Sequence, residues 1–189
     1  MAKRTEKHDT ILDEVSPFLR EEAPLLDTTL GTVSGRADWR RIWLATQSRP
    51  WRALAIVPGD DGLPTFEVAS RLMWIGRSLG DPICVADLRG ATHYAGAFLE
   101  IVAYHVSRGE RIVMPTYTTD HDLTIPIARG ADCVLLCVAL GSTRVRRIEE
   151  TLADVGKDRF VGSILLNTAP TNGVRHRSRR RPALLKAQG

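Results

Sequence analysis

Cysteine is scarce in this 189-residue chain, with Cys84, Cys133 and Cys137 each set among apolar neighbours. A disulfide framework is excluded, and buried thiols in a reducing compartment are the expectation. Aromatic residues amount to only 6%. No apolar run approaches the roughly 20 residues that cross a bilayer. The opening MAKRTEKHDT leads into no apolar leader segment, so a cytoplasmic location is expected. There is no G-x-S-x-G elbow, no H-E-x-x-H helix and no C-x-x-C pair, which removes three common routes to hydrolytic, metal-hydrolytic and redox chemistry. No tyrosine follows Tyr117, and no acidic residue follows Val174.

What remains is a globular composition, 43% hydrophobic and 25% charged. The net charge of +4 is carried by one end. Arg175, Arg177, Arg179, Arg180, Arg181 and Lys186 supply six cations, and leaving them out turns +4 into −2 for the rest. The basic tail, residues 171–189, has the charge density of a salt-sensitive anchor for nucleic acid or an anionic membrane. It has no interleaved aromatics on which single-stranded bases would stack. A merely solvated, disordered tail is the plainer alternative.

Residues 1–36 are rich in charge, proline and threonine and read as a mobile arm that docks on a partner. Ile11, Leu12, Val15, Phe18 and Leu19 fall at helical spacing there, with Pro17 interrupting them. Residues 37–46 read as a helix with Trp39, Ile42 and Trp43 on one side, and Trp43 and Trp51 as packing aromatics. From Trp51 onward, short continuous apolar runs alternate with amphipathic helices. Strands are expected at 53–57, 82–86, 112–114, 132–140 and 160–166, and helices at 68–79, 95–107 and 145–155. Gly80 is placed to close the first of these three helices. Apolar strands alternating with helices specify an α/β fold, a doubly wound, mostly parallel sheet with helices on both faces, over residues 37–170.

In such a sheet the first strand-to-helix turn is the first place to seek a ligand. Here it runs from Pro58 to Glu67 and reads PGDDGLPTFE. The helix after it closes at Gly80, and the next strand ends in ICVADLR (Ile83 to Arg89). Further on come ADCVLLCV from Ala131, then Gly141-Ser142-Thr143, and a strand from Val161-Gly162 to Leu166-Asn167. In this order and spacing, over roughly Asp38 to Pro170, the chain resembles the MinD/ParA-type P-loop ATPases. The branch it most resembles is the bacterial tyrosine kinases of exopolysaccharide synthesis.

The resemblance implies a phosphate-binding loop, and residue-by-residue matching shows that loop to be degenerate. The first loop glycine falls on Gly59, the second on Pro64, the essential lysine on Thr65 and the metal-binding hydroxyl on Phe66. Pro64 has no N–H to offer a phosphate. Asp60, Asp61 and Gly62 fill the loop, and two carboxylates stand where a triphosphate would sit. At about 4 Å and an effective dielectric near 20, each repels a unit negative charge by about 4 kcal/mol. The second acidic strand is also altered: the family's metal-positioning aspartate falls on Pro115. Asp87 and Arg89 remain at nucleotide-site positions, and Asn167 at the position beside the base. A capping role for Asp87, or a pair with Arg89, is an equally good reading.

Asp120, His121 and Asp122 form a short acidic cluster without a ligand from a second element, and read as a solvated loop. Cys133 and Cys137 share one face of a strand and read as buried packing. His93 and Tyr94 precede a helix, and a lone histidine there reads as structural.

The resemblance thus implies a non-catalytic, pseudo-ATPase member of the exopolysaccharide kinase family with no cofactor. The partners it implies are an inner-membrane polysaccharide synthesis or export protein and further copies of the chain, with a peripheral location at that membrane. An active enzyme using ATP and Mg through an unorthodox loop is the alternative. A regulator binding nucleic acid or an anionic membrane through the arginine tail is the second alternative.

Overall fold

The computed structural model describes Leu19–Arg20, residues 35–86 and residues 95–167. The elements are β1 (Leu19–Arg20), α1 (Gly35–Thr46), β2 (Ala53–Pro58), α2 (Thr65–Ser78), β3 (Ile83–Ala86) and α3 (Ala95–Ser107). They continue with β4 (Arg111–Pro115), α4 (Thr124–Gly130), β5 (Cys133–Ala139), α5 (Val145–Val155), a 3-10 turn (Lys157–Arg159) and β6 (Phe160–Leu166).

The sheet runs in the order β1-β3-β4-β2-β5-β6. Five strands are parallel, and β1 pairs antiparallel with β3 at its edge. The doubly wound, mostly parallel α/β architecture is therefore as the sequence indicates. Every residue of β2, β3 and β5 is buried, as strands covered on both faces must be. Alternate side chains serve two cores. Leu54, Ile56, Val85, Val113, Leu135 and Cys137 pack with the tryptophans of α1 and with Val68, Leu72 and Ile75 of α2. Ala55, Val57, Ile112, Met114 and Val134 pack under α3, α4 and Val155 of α5.

Helices α2 and α3 end in the same way. At the end of α2, Gly80 has φ 90°, its N–H donates to Arg77 O, and Asp81 N–H donates to Gly76 O. At the end of α3, Gly109 has φ 84°, its N–H donates to Val106 O, and Glu110 N–H donates to His105 O. Both are paired C-terminal closures in which a left-handed glycine reverses the chain into the next strand. The glycine punctuation read at Gly80 is thus realised in full.

The structure differs from the sequence reading at three places. The helix after β2 begins at Thr65, one turn earlier than the apolar pattern from Val68 indicates, because Pro64 is well tolerated just outside a first turn. Helix α4, of seven residues with Pro126 inside it, has no counterpart among the expected elements. Leu19, placed in the mobile arm at helical spacing from Ile11, Leu12, Val15 and Phe18, is instead extended and opposite Ala86. The other residues of that segment, Ile11 to Phe18, lie outside the described residues, as do Asp87, Arg89, His93, Tyr94 and the arginine tail.

Candidate functional site

Helix α2 lies on one face of the sheet and leads from β2 towards β3, whereas α4 lies on the other and leads from β4 to β5. The loops after β2 and β4 therefore part at the carboxyl ends of adjacent strands and leave a crevice between them. The crevice has a volume of ≈ 460 Å³. One wall is Pro58 and the run from Asp61 to Glu67; the other is Pro115, Thr116, Tyr117 and Thr118.

The sequence-level loop assignment is therefore divided by the structure. Asp61, Gly62, Pro64, Thr65, Phe66 and Pro115 all reach the crevice. Gly59 is buried below it, with its N–H donating to Cys137 O at 2.8 Å and with space for a Cβ only 3.2 Å from that oxygen. Asp60, expected in the phosphate position, does not line the crevice; its Oδ1 accepts the Asp61 N–H at 2.9 Å and so shapes the turn. The second carboxylate on the wall is that of Glu67, in the first turn of α2. Asn167, exposed at the end of β6, is not part of the lining.

Thr65, matched in the sequence resemblance to the lysine of the P-loop ATPases, is 8% exposed, and its hydroxyl donates to Thr116 O at 3.0 Å. Thr116 is held in turn, its N–H and hydroxyl both donating to Ile56 O at 2.9 and 3.0 Å. Thr118 Oγ1 donates to Asp61 Oδ1 at 3.1 Å, linking the two loops a second time. Where a phosphate cradle would present N–H groups and an ammonium, the lining here has the hydroxyls of Thr65 and Thr116 on carbonyls, that of Thr118 on Asp61, and the acidic residues Asp61 and Glu67. No Lys, Arg or His stands among its described lining residues. Arg147 of α5 is engaged beside it by Asp120 at 2.9 Å. That hydrogen bond and ion pair raise the Arg147 pKa, with a smaller contribution from Asp61.

The acidic cluster after β4 is dispersed. Asp120 holds Arg147, while His121 stacks on Tyr117 with ring centroids 4.6 Å apart and accepts the Leu123 N–H at 3.3 Å. Cys133 and Cys137 are both fully buried. Desolvation pushes the Cys133 thiol up to about 11, with Arg49 opposing, and the Cys137 thiol up to about 12. Such thiols stay protonated and unreactive near neutrality.

Sequence reasoning missed Glu67, Thr116, Tyr117 and Thr118 as members of the site. The signal available was the position of Thr116 to Thr118 directly after a parallel strand, where the pattern of the fold puts ligand contacts.

No family model matches the sequence, and no curated protein matches it either. The chain is similar in structure to the chimerical protein CapA2B2, with a TM-score of 0.57 at 8% identity, over 83% of this chain and 97% of that one. At that identity the likeness shows the shared α/β fold. Among the described residues no helix is long and apolar enough to cross a membrane.

Proposed function

We propose that this chain is a non-catalytic member of the P-loop fold that serves capsule or exopolysaccharide synthesis by protein–protein contact. The observation that carries this reading is the hydrogen bond from Thr65 to Thr116, in a crevice whose lining includes Asp61 and Glu67 and no described cation. It closes the crevice with neutral and negative groups at the place where the fold would bind a polyanion. The capsule context rests on the resemblance of the strand-end motifs to the exopolysaccharide kinases, and the fold shared with the chimerical protein CapA2B2 is compatible with it.

In this reading the partner is the cytoplasmic face of an inner-membrane polysaccharide co-polymerase or synthase. Copies of the chain assemble with one another, and the arginine-rich residues 175–181 add an electrostatic contact to the anionic membrane. Nucleotide plays no part in the cycle, so association is constitutive. The test is co-purification of the full chain with a co-encoded polysaccharide co-polymerase in nanodiscs. Association that is unchanged by ATP, ADP or EDTA supports the reading. Association that requires Mg-ATP, or failure to associate at any ionic strength, overturns it.

A further inference from the structure

The crevice lies at the carboxyl ends of the strands, and a second cluster of chemically capable side chains lies at their amino ends. Cys84 is the second residue of β3, His105 sits in the last turn of α3, and Glu110 precedes β4. One donor atom of each falls within 4.8 Å of the donors of the other two. The closure of α3 produces this convergence. Gly109 reverses the chain, the Glu110 N–H returns to His105 O, and the carboxylate is thereby brought to the imidazole, with Glu110 Oε2 2.5 Å from His105 Nδ1. Arg111 N–H donates to Pro82 O at 2.7 Å and fixes β4 beside the start of β3, which brings Cys84 to the same point.

We propose that Cys84, His105 and Glu110 form a binding site for a borderline-soft divalent cation of the zinc class. A thiolate, an imidazole and a carboxylate are the three donor types zinc takes, and a hard cation such as magnesium or calcium would take oxygens alone. Two features point to a ligand here in preference to plain packing. His105 Nε2 is buried with no hydrogen-bond partner among the described residues, so this chain satisfies the ring only at Nδ1, through the contact with Glu110. The three donors also come from three different elements, each fixed by backbone hydrogen bonds, so little ordering remains when a cation enters.

The environment is electrically suited to one dication. The Cys84 thiolate and the Glu110 carboxylate together neutralise two positive charges. Arg108, 3.7 Å from Glu110 Oε1, stands on the outer oxygen of the carboxylate, away from the oxygen that meets His105. Cys84 Sγ contacts Arg111 O at 3.7 Å in the thiol form. On binding, the Cys84 thiol proton passes to solvent as the metal–sulfur bond forms, the imidazole binds through its unprotonated nitrogen, and no oxidation state changes. Glu110 is half-buried, and its chain neighbours Gly109 and Arg111 line a groove of ≈ 440 Å³ with Trp51, Arg52 and Asp81. With three protein ligands, a water would complete four-coordination. The bound cation would tie β3, α3 and β4 together at the rim opposite the crevice.

The test is titration of the chelator-treated full chain with Co²⁺, which takes zinc's geometry and reports a thiolate ligand by a near-ultraviolet charge-transfer band. The proposal expects one equivalent of Co²⁺ with that band, its displacement by Zn²⁺, and a rise in Tm on zinc addition. In Cys84→Ser the band disappears while circular dichroism is unchanged. In His105→Gln and Glu110→Gln the affinity falls by about tenfold or more. If Cys84→Ser fails to fold, the two other variants carry the same comparison. Absence of the band in the wild-type chain overturns the proposal, as does a band that all three variants retain at full affinity.

Discussion

The hydroxyl of Thr65 donates to the carbonyl oxygen of Thr116 between the two walls of the crevice, 3.0 Å away and buried. It joins the first residue of α2 to the loop after β4, so the two walls of the ligand position are tied to each other. Thr65→Val removes the donor and leaves a buried carbonyl unsatisfied, with nearly the same side-chain volume. The expected cost is about 1–2 kcal/mol of unfolding free energy, read as a lower urea midpoint with an unchanged slope.

The negative lining makes a prediction of the opposite sense. Removing both charges in Asp61→Asn/Glu67→Gln relieves a repulsion of about 1 kcal/mol each in a water-like dielectric. Pyrophosphate should then bind at least about tenfold more tightly than it does to the wild-type chain, and calorimetric titration at low salt reads the difference. Equal affinity of the two proteins for pyrophosphate would show that the carboxylates are not what repels it.

Packing between α1 and α2 depends on a missing side chain. A Cβ at Gly76 would lie 2.8 Å from Trp43 Cη2 and 2.9 Å from Cζ2. Gly76→Ala gains about 1 kcal/mol of helix propensity and incurs about 1–3 kcal/mol of overpacking against a ring also held edge-on by Trp51, 5.7 Å away. A net loss of about 1 kcal/mol is expected. In the Trp43→Phe background, where the two nearest atoms are gone and only Ile83 Cγ2 at 3.2 Å stays close, the same substitution should cost less, and a denaturation double-mutant cycle reads that difference.

The buried thiols give an alkaline dependence. The folded Cys137 pKa of about 12 stands above its ordinary value of 9.0, because burial disfavours the thiolate. Above pH 9 the unfolded chain loses this proton while the folded chain keeps it. Stability therefore falls as pH rises through that window, by at most about 1.4 kcal/mol per pH unit from this group. Cys137→Val should flatten the decline between pH 9 and 11. The native thiol should also resist a thiol-specific reagent at pH 8 until the chain is unfolded.

Much of the fold was legible because strand burial and helix periodicity are local signals. ALAIVP, ICVA and CVLLCVA are apolar throughout, as doubly covered strands must be, and α3 and α5 fall on the residues their spacing indicates. Helix α4 was not legible, since TIPIARG is short, contains a proline, and is helical only because Ile127 and Ala128 find the core. Strand β1 was equally hidden: two residues carry no periodicity, and their pairing with Val85 and Ala86 is set by the sheet edge.

At the site, the sequence located the turn after β2 but not its opposite wall. Thr116 and Thr118 join it through a parallel pairing some sixty residues distant in sequence, the separation between Ile56 and Thr116 being 60. The exchange of Glu67 for Asp60 has a similar origin. Which of several neighbouring carboxylates faces a cleft depends on how one turn bends, and here Asp60 is turned back onto its own loop.

Whether the crevice has lost its nucleotide is decided by titrating the purified chain with a fluorescent ATP analogue, with and without Mg²⁺. A loop closed by Thr65 and Thr116 and flanked by carboxylates should give no saturable binding that ADP displaces, in either condition. A micromolar, Mg²⁺-dependent Kd abolished by excess ADP would mean that the loop still holds a polyphosphate and that the non-catalytic reading is wrong.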